Sequence, residues 1–258
     1  MNLKIKKFYS ENTETDFIDF EFDEQGDKPS WIHIKTPEFK ARFITIQTSS
    51  RSEVLYKRFT GNFYYPIDLV LQPEEEKRFY DKFAIYYDEN TAKNNLPMAK
   101  FLLEKLNKYQ TNKNEKILDA GAGTGIFSNV ASENGFKNLT LVDIYKSMLD
   151  MAKKKVLLKN AKFIIGDIET VKFPDIYESL VSIMMFDALD DVKLEKAIKN
   201  IRLHLSSNAY IYLVEDKKRD IYLDFFTEVE SGLFDVSKDK GFQKYYFVGK
   251  VKHCDILE

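Results

Sequence analysis

The chain has 258 residues, with 39 Lys and Arg against 41 Asp and Glu for a formal net charge of −2, a balance that leaves no electrostatic footprint for nucleic acid or an anionic membrane. Hydrophobic residues at 44% and aromatics at 14% specify a folded globule. No apolar run is long enough to span a bilayer, and MNLKIKKFYS lacks the apolar stretch of a signal peptide, so a cytoplasmic protein is expected. The single cysteine, Cys254, excludes an internal disulfide; with His33, His204 and His253 scattered, no metal site is expected.

From Leu3 to about Gln72 the pattern has period two. DFIDFEFDE sets Ile18, Phe20 and Phe22 against Asp19, Glu21 and Asp23; WIHIK alternates as well, and ARFITIQT is β-branched. QGDKPS and KTPE supply turn chemistry. Residues 1–72 therefore read as three to five antiparallel strands with one polar face and an unassigned role. Their aromatics, Phe59, Phe63, Tyr64 and Tyr65, suit an apolar substrate or a homodimer interface equally.

After Pro73 the texture changes. PEEEKRFYDKFAIYYDENTA opens with proline and three glutamates, which favour a helix N-terminus. LPMAKFLLEKLNKY then places Met98, Phe101, Leu102 and Leu106 at helical spacing. From Lys116 on, the apolar runs KILDA, LTLVD, AKFIIGD, LVSIMMFD and AYIYLVE are short, with amphipathic segments such as DDVKLEKAIKNIRLHL among them. That alternation specifies an α/β fold, a mostly parallel sheet with helices on both faces. Lys153, Lys154 and Lys155 read as a solvated helix face. RDIYLDFFTEVESGLF reads as helix and FQKYYFVGKVK as strand, with GLFDVSK as a short partner.

The stretch ILDAGAGTGIFS, residues 117–128, carries the chemistry. A nucleotide P-loop needs lysine and serine or threonine after its last glycine, where Ile126 and Phe127 stand. A dinucleotide turn needs its third glycine at Ile126. The glycines are instead Gly121, Gly123 and Gly125, preceded by Asp119. This D-x-G-x-G-x-G spacing resembles the first motif of class I S-adenosylmethionine-dependent methyltransferases.

That resemblance implies a Rossmann-like sheet with an N-terminal antiparallel β-rich extension, and S-adenosyl-L-methionine as cofactor. Asp119 would lie near the methionine amino group, while Gly121, Ala122, Gly123 and Gly125 bring backbone close to the ligand, glycine having no Cβ and tolerating positive φ. Asp143, with Ile144 beside it, ends the second run; an acid there can accept both hydroxyls of a ribose, a device that NAD enzymes share. Asp167 ends the third run, where the family takes up the adenine amino group, with Ile168 beside it. Met184, Met185 and Phe186 would pass from core to cofactor wall. No Asn-Pro-Pro-Tyr follows, which argues against the nucleic-acid and glutamine-modifying groups.

FYDKFAIYYDE, residues 79–89, is similar to the segment preceding the core in ubiquinone- and menaquinone-type methyltransferases, where it forms a lid. Tyr80 and Tyr87 fall on its aromatic positions with Ala84 between them. Either hydroxyl would reach the cofactor carboxylate, or simply pack. The resemblance spans about residues 79–253; with the change of texture at Pro73, the expected division is residues 1–72 and a methyltransferase domain over 73–258, with 73–110 as helical lid.

The implied reaction moves a methyl group to a small-molecule acceptor by in-line displacement, which demands mainly positioning. A base is needed only when the nucleophile carries a proton; Asp187, Asp190, Tyr86 and His204 are candidates, none preferred. Two further readings stay open: a protein methyltransferase (the charge balance weakens RNA) using residues 1–72 for recognition, and a cofactor-binding protein without turnover or an NAD(P) enzyme.

Overall fold

A computed structural model describes residues 4–7, 19–21, 56–60, 63–66, 73–236 and 242–252, the four early segments as backbone. The chain divides into two compact units, Met1–Tyr86 and Tyr87–Glu258. In the first, β1 (Lys4–Lys7), β2 (Asp19–Glu21), β3 (Tyr56–Thr60) and β4 (Phe63–Pro66) form an antiparallel sheet in the order β1-β2-β4-β3. The alternating stretch DFIDFEFDE supplies β2, and the four aromatics fall on β3 and β4. WIHIK, ARFITIQT, His33, His253 and Cys254 lie outside the described residues.

Helix α1 (Pro73–Tyr109) is continuous where the sequence suggests two segments, and carries Pro97 inside it. A mid-helix proline removes one backbone hydrogen bond. Met98, Ala99, Leu102 and Leu106, all at most 2% exposed, bury the following turns in the core, and that packing carries the helix through.

The second unit is built on a seven-stranded sheet in the order β10-β11-β9-β8-β5-β6-β7. Its elements are β5 (Lys116–Ala120), α2 (Ile126–Glu133), β6 (Asn138–Asp143), α3 (Lys146–Lys153) and β7 (Lys162–Ile165), then β8 (Tyr177–Ile183), α4 (Asp191–Arg202), β9 (Leu205–Glu215), α5 (Tyr222–Phe225), β10 (Phe226–Asp235) and β11 (Gln243–Val251). Strands β5 to β9 are parallel, and β11 runs antiparallel between β9 and β10. The chain enters at the central strand β5, moves outward through β6 and β7, and returns to β8 on the other side of β5. That reversal opens a crevice at the C-terminal ends of the strands.

Side chains alternate across this sheet with period two. Leu118, Ala120, Leu180, Ile211 and Leu213 join a core with α4 residues Leu194, Ala197, Ile198 and Ile201. Ile117, Leu139, Leu141, Val181, Tyr212 and Val214 join the other with residues of α1, α2 and α3. Both faces are covered, as the near-continuous apolar runs require.

One expectation is corrected. The segment 219–234, read as a helix, holds only the four-residue α5 before β10 begins at Phe226. Phe226 pairs with Val251 and Asp235 with Gln243, so β10 is the full-length partner that β11 needs. The pairing overrides a sequence pattern that fits either period. Among the described residues, no helix is long and apolar enough to cross a membrane.

Candidate cofactor site

The parallel register sets Ala120 opposite Val142 and Asp143 opposite Ile165, so β5, β6 and β7 end along one edge. Asp119 extends the row begun by Ile117, and Asp143 the row of Leu139 and Leu141. Both acids therefore fall on the face covered by α1, α2 and α3. Asp167 follows β7 by two residues.

The glycine turn is tied to β6. Gly121 and Ala122 both donate backbone N–H bonds to the Val142 carbonyl, at 2.9 and 3.0 Å, and Gly125 donates to Ala122 at 2.8 Å. The Gly123 N–H donates to Asp143 Oδ2 at 2.8 Å, while the Tyr145 N–H donates to Oδ1 at 2.8 Å. Each carboxylate oxygen can accept a second bond, so Asp143 holds the turn and keeps capacity for a ligand diol. Burial raises its pKa, opposed by the three backbone amides of Tyr145, Gly123 and Ile144.

Asp119 is 3% exposed and accepts a 2.6 Å hydrogen bond from Ser128 Oγ on α2. Burial pushes its pKa up to about 7, with the Ser128 bonds working the other way. It is a carboxyl poised to gain from a cation. Asp167 is exposed, and its Oδ1 accepts from the Glu169 N–H at 2.9 Å, which is local turn chemistry. Ile168 points into the core beneath, whereas Ile144 is 53% exposed beside Asp143.

All three glycines of the motif adopt positive φ, but for different neighbours. A Cβ on Gly121 would stand 2.2 Å from Met185 Cγ, and one on Gly125 would meet Leu158 and Leu141 at 2.8 and 2.9 Å. Only at Gly123 is the space open, with Met148 Cε at 3.4 Å as the nearest atom. The protein's own packing thus requires glycine at 121 and 125 and leaves space only at Gly123. Met184 holds a left-handed φ of 62°, a strained conformation for a side chain of that size, fixed by its N–H bond to Val214 O at 2.7 Å.

The middle of α1 is pinned to the turn. Thr124 Oγ1 donates to Asp88 Oδ1, and Lys155 Nζ pairs with Asp88 Oδ2 at 2.8 Å. The Tyr87 hydroxyl accepts from Asn95 at 3.3 Å, and its pKa is raised by burial, with Asp143 and Asp88 adding to the effect. Tyr80, half-buried, and Ala84, buried, lie in the first unit. Of the candidate bases, Asp190 caps α4 through the Lys193 N–H at 2.9 Å. His204 sits at the opposite edge of the sheet, just before β9, edge-on to Phe173 at 5.3 Å. Asp187 stays at the C-terminal edge and accepts from the Asp216 N–H at 2.6 Å. The Tyr86 side chain lies outside the described residues.

Residues 117–208, which contain the glycine turn and all three acids, match the family described as "Methyltransferase domain". The malonyl-[acyl-carrier protein] O-methyltransferase of Bacillus anthracis is 28% identical over 189 residues, covering 70% of this chain and 68% of that protein. Residues 117–208 are thus a methyltransferase domain, similar to those of the class I S-adenosylmethionine-dependent methyltransferases. Solved members share its fold: an S-adenosylmethionine-dependent methyltransferase from Clostridium acetobutylicum has a TM-score of 0.55 at 14% identity, over 68% of this chain and all (100%) of that one. The N-methyltransferase NodS from Bradyrhizobium japonicum, in complex with S-adenosylhomocysteine, has a TM-score of 0.50 at 15% identity, over 60% of this chain and 86% of that one.

The chain is accordingly a methyltransferase that uses S-adenosyl-L-methionine. Its donor set fits the cofactor: a buried carboxyl for an ammonium, a second carboxylate for a diol, and an open glycine between them. Sequence reasoning missed Ser128, Thr124, Asp88 and Met148, whose partners are set by the fold and leave no local signal.

Proposed function

We propose that this methyltransferase acts on an oxygen of a small acyl group and grips its cofactor with Asp119, Gly123 and Asp143. The observation that carries the reading is the bond from the Gly123 N–H to Asp143, with the Asp119 carboxyl on the adjacent strand end. When bound, S-adenosylmethionine supplies an electrophilic methyl group on its sulfonium.

The chain's own residues hold and orient. Asp119 takes the ligand ammonium, Asp143 the ribose hydroxyls, and Asp167 the adenine amino group beside the exposed Ile144. Tyr87 and Asp88 close the turn from α1, and Met184 and Met185 form the wall toward the acceptor. A carboxylate nucleophile has no proton to lose at neutral pH, so positioning is enough. The name of the Bacillus anthracis relative supports an acyl group on a carrier protein as that kind of acceptor.

The full chain should bind S-adenosylhomocysteine but not NAD in a calorimetric titration. It should transfer a radiolabelled methyl group to malonyl-acyl-carrier protein as an alkali-labile ester. Binding without transfer to that acceptor removes the acyl reading and leaves the cofactor reading in place.

A further inference from the structure

Glu215 is the last residue of β9 and is completely buried. It continues the row of Ile211 and Leu213, on the sheet face opposite Asp119, and its strand neighbours are β8, through Ile183 paired with Val214, and β11, through Tyr245. Neither of its carboxyl oxygens makes a well-formed hydrogen bond among the described residues, and the same holds for the hydroxyls of Tyr222 and Tyr245. Asp187, on the loop that follows β8, stands beside it together with Tyr222 and Arg219.

That loop is the one that presses on the cofactor turn. Met184 is anchored to Val214 O at 2.7 Å, and Arg219 Nη1 donates to Phe186 O and Leu189 O at 2.9 and 2.8 Å. Met185 lies against Gly121. Between these anchors stands Asp187, whose Oδ2 is taken by the Asp216 N–H.

We propose that Glu215, as a neutral carboxylic acid, is a positioning residue: it donates its proton to Asp187 and so holds the loop 184–189 against the cofactor turn. The proposal rests on the reading that the cofactor lies at this edge. A carboxylate buried without a partner is strongly disfavoured, so the group keeps its proton. Burial first, and Asp187 next, push its pKa up to about 9. The other charged groups do not cancel this. Arg219 is committed to two carbonyls and to Asp191, and Lys244 to Asp216. Tyr222 on α5 is pushed above its ordinary range by the same burial. When Glu215 ionises, its fully buried carboxylate faces that of Asp187 without solvent to screen it, and the loop gives way.

The test compares the full-length protein with Glu215→Gln between pH 7 and 10, by S-adenosylhomocysteine titration and by amide hydrogen exchange of residues 184–190 at matched pH. The ligand amine titrates in the same range in both proteins, so the difference between them carries the result. The wild type should lose affinity by about tenfold for each pH unit above 9 relative to the variant, with faster exchange in that segment. Glu215→Gln should keep the neutral-pH affinity and slow exchange throughout. Asp187→Asn, which removes the facing charge, should shrink the alkaline loss, and it decides the matter if the glutamine variant does not fold. Identical profiles for wild type and variants, or loss of binding by Glu215→Gln at every pH, would overturn the proposal. If no protein binds the ligand at any pH, the cofactor reading fails, and the exchange data still decide whether the loop depends on this proton.

Discussion

Met185 occupies the space that a side chain on Gly121 would need, its Cβ and Cγ lying 2.3 and 2.2 Å from where that atom would stand. The loop after β8 and the turn after β5 are therefore one packed unit. Gly121→Ala should cost about 1–3 kcal/mol of stability by overpacking, and its left-handed backbone adds about 1 kcal/mol. Gly123→Ala has room for its methyl group apart from the same backbone cost. It should stay folded and lose cofactor affinity. Thermal melts set beside S-adenosylhomocysteine titrations separate the two.

Asp143→Ala removes both the ligand's partner and the acceptor of the Gly123 N–H. Cofactor binding should weaken by about 1–3 kcal/mol, the cost of leaving polar groups unpaired. Asp143→Asn retains an acceptor oxygen and should lose less. Unchanged affinity in the alanine variant would show that the ribose lies elsewhere.

Asp119 has a folded-state pKa near 7 against an ordinary 3.8. The folded chain binds more protons than the unfolded one in that window. This group's contribution to stability is therefore fully present below about pH 4 and is lost as pH rises through 7. A bound ammonium favours the ionised form. Affinity for S-adenosylhomocysteine should rise from pH 5 to 7 and then level, with proton release seen when calorimetry is repeated in buffers of different ionisation enthalpy. Ser128→Ala strips the bond that lowers this pKa and should move the rise to higher pH.

Asp88 links α1 to the turn through Thr124 and Lys155. The carboxylate is 43% exposed, so Asp88→Ala should change stability by less than about 1 kcal/mol. Its effect should appear in stopped-flow experiments as faster release of the cofactor product, because α1 loses its tie to the turn.

The sequence made the parallel sheet legible because each core strand carries a short, largely apolar run. The acids at 119, 143 and 167 were legible because each interrupts the end of such a run. Three features were not. The pattern over 219–234 satisfies both periods, and only the pairing of β10 with β11 selects the strand. The division of labour among the glycines depends on Met185 and Leu158, which are distant in the chain and set by the fold. Ser128 and Asp88 look like an ordinary helix serine and a surface acid until α2 and α1 fold over the turn. His204, a plausible base by residue type, is disqualified by its place at the far edge of the sheet.

The sheet is laid down from its centre outward, and this splits the enzyme's history into two separable tasks. Residues 116–167 carry Asp119, Gly123 and Asp143, the proposed grip on the cofactor, whereas everything from β8 onward builds the opposite half and braces the turn through Met185. Exposed positions on the outermost strand β10, unlike the loop after β9 with its Asp216 and Arg219, are thus at liberty to diverge among descendants without loosening that grip. New methyl acceptors should be recruited by changes there, and chimaeras that exchange residues 226–235 between relatives are the natural way to transplant one specificity onto another.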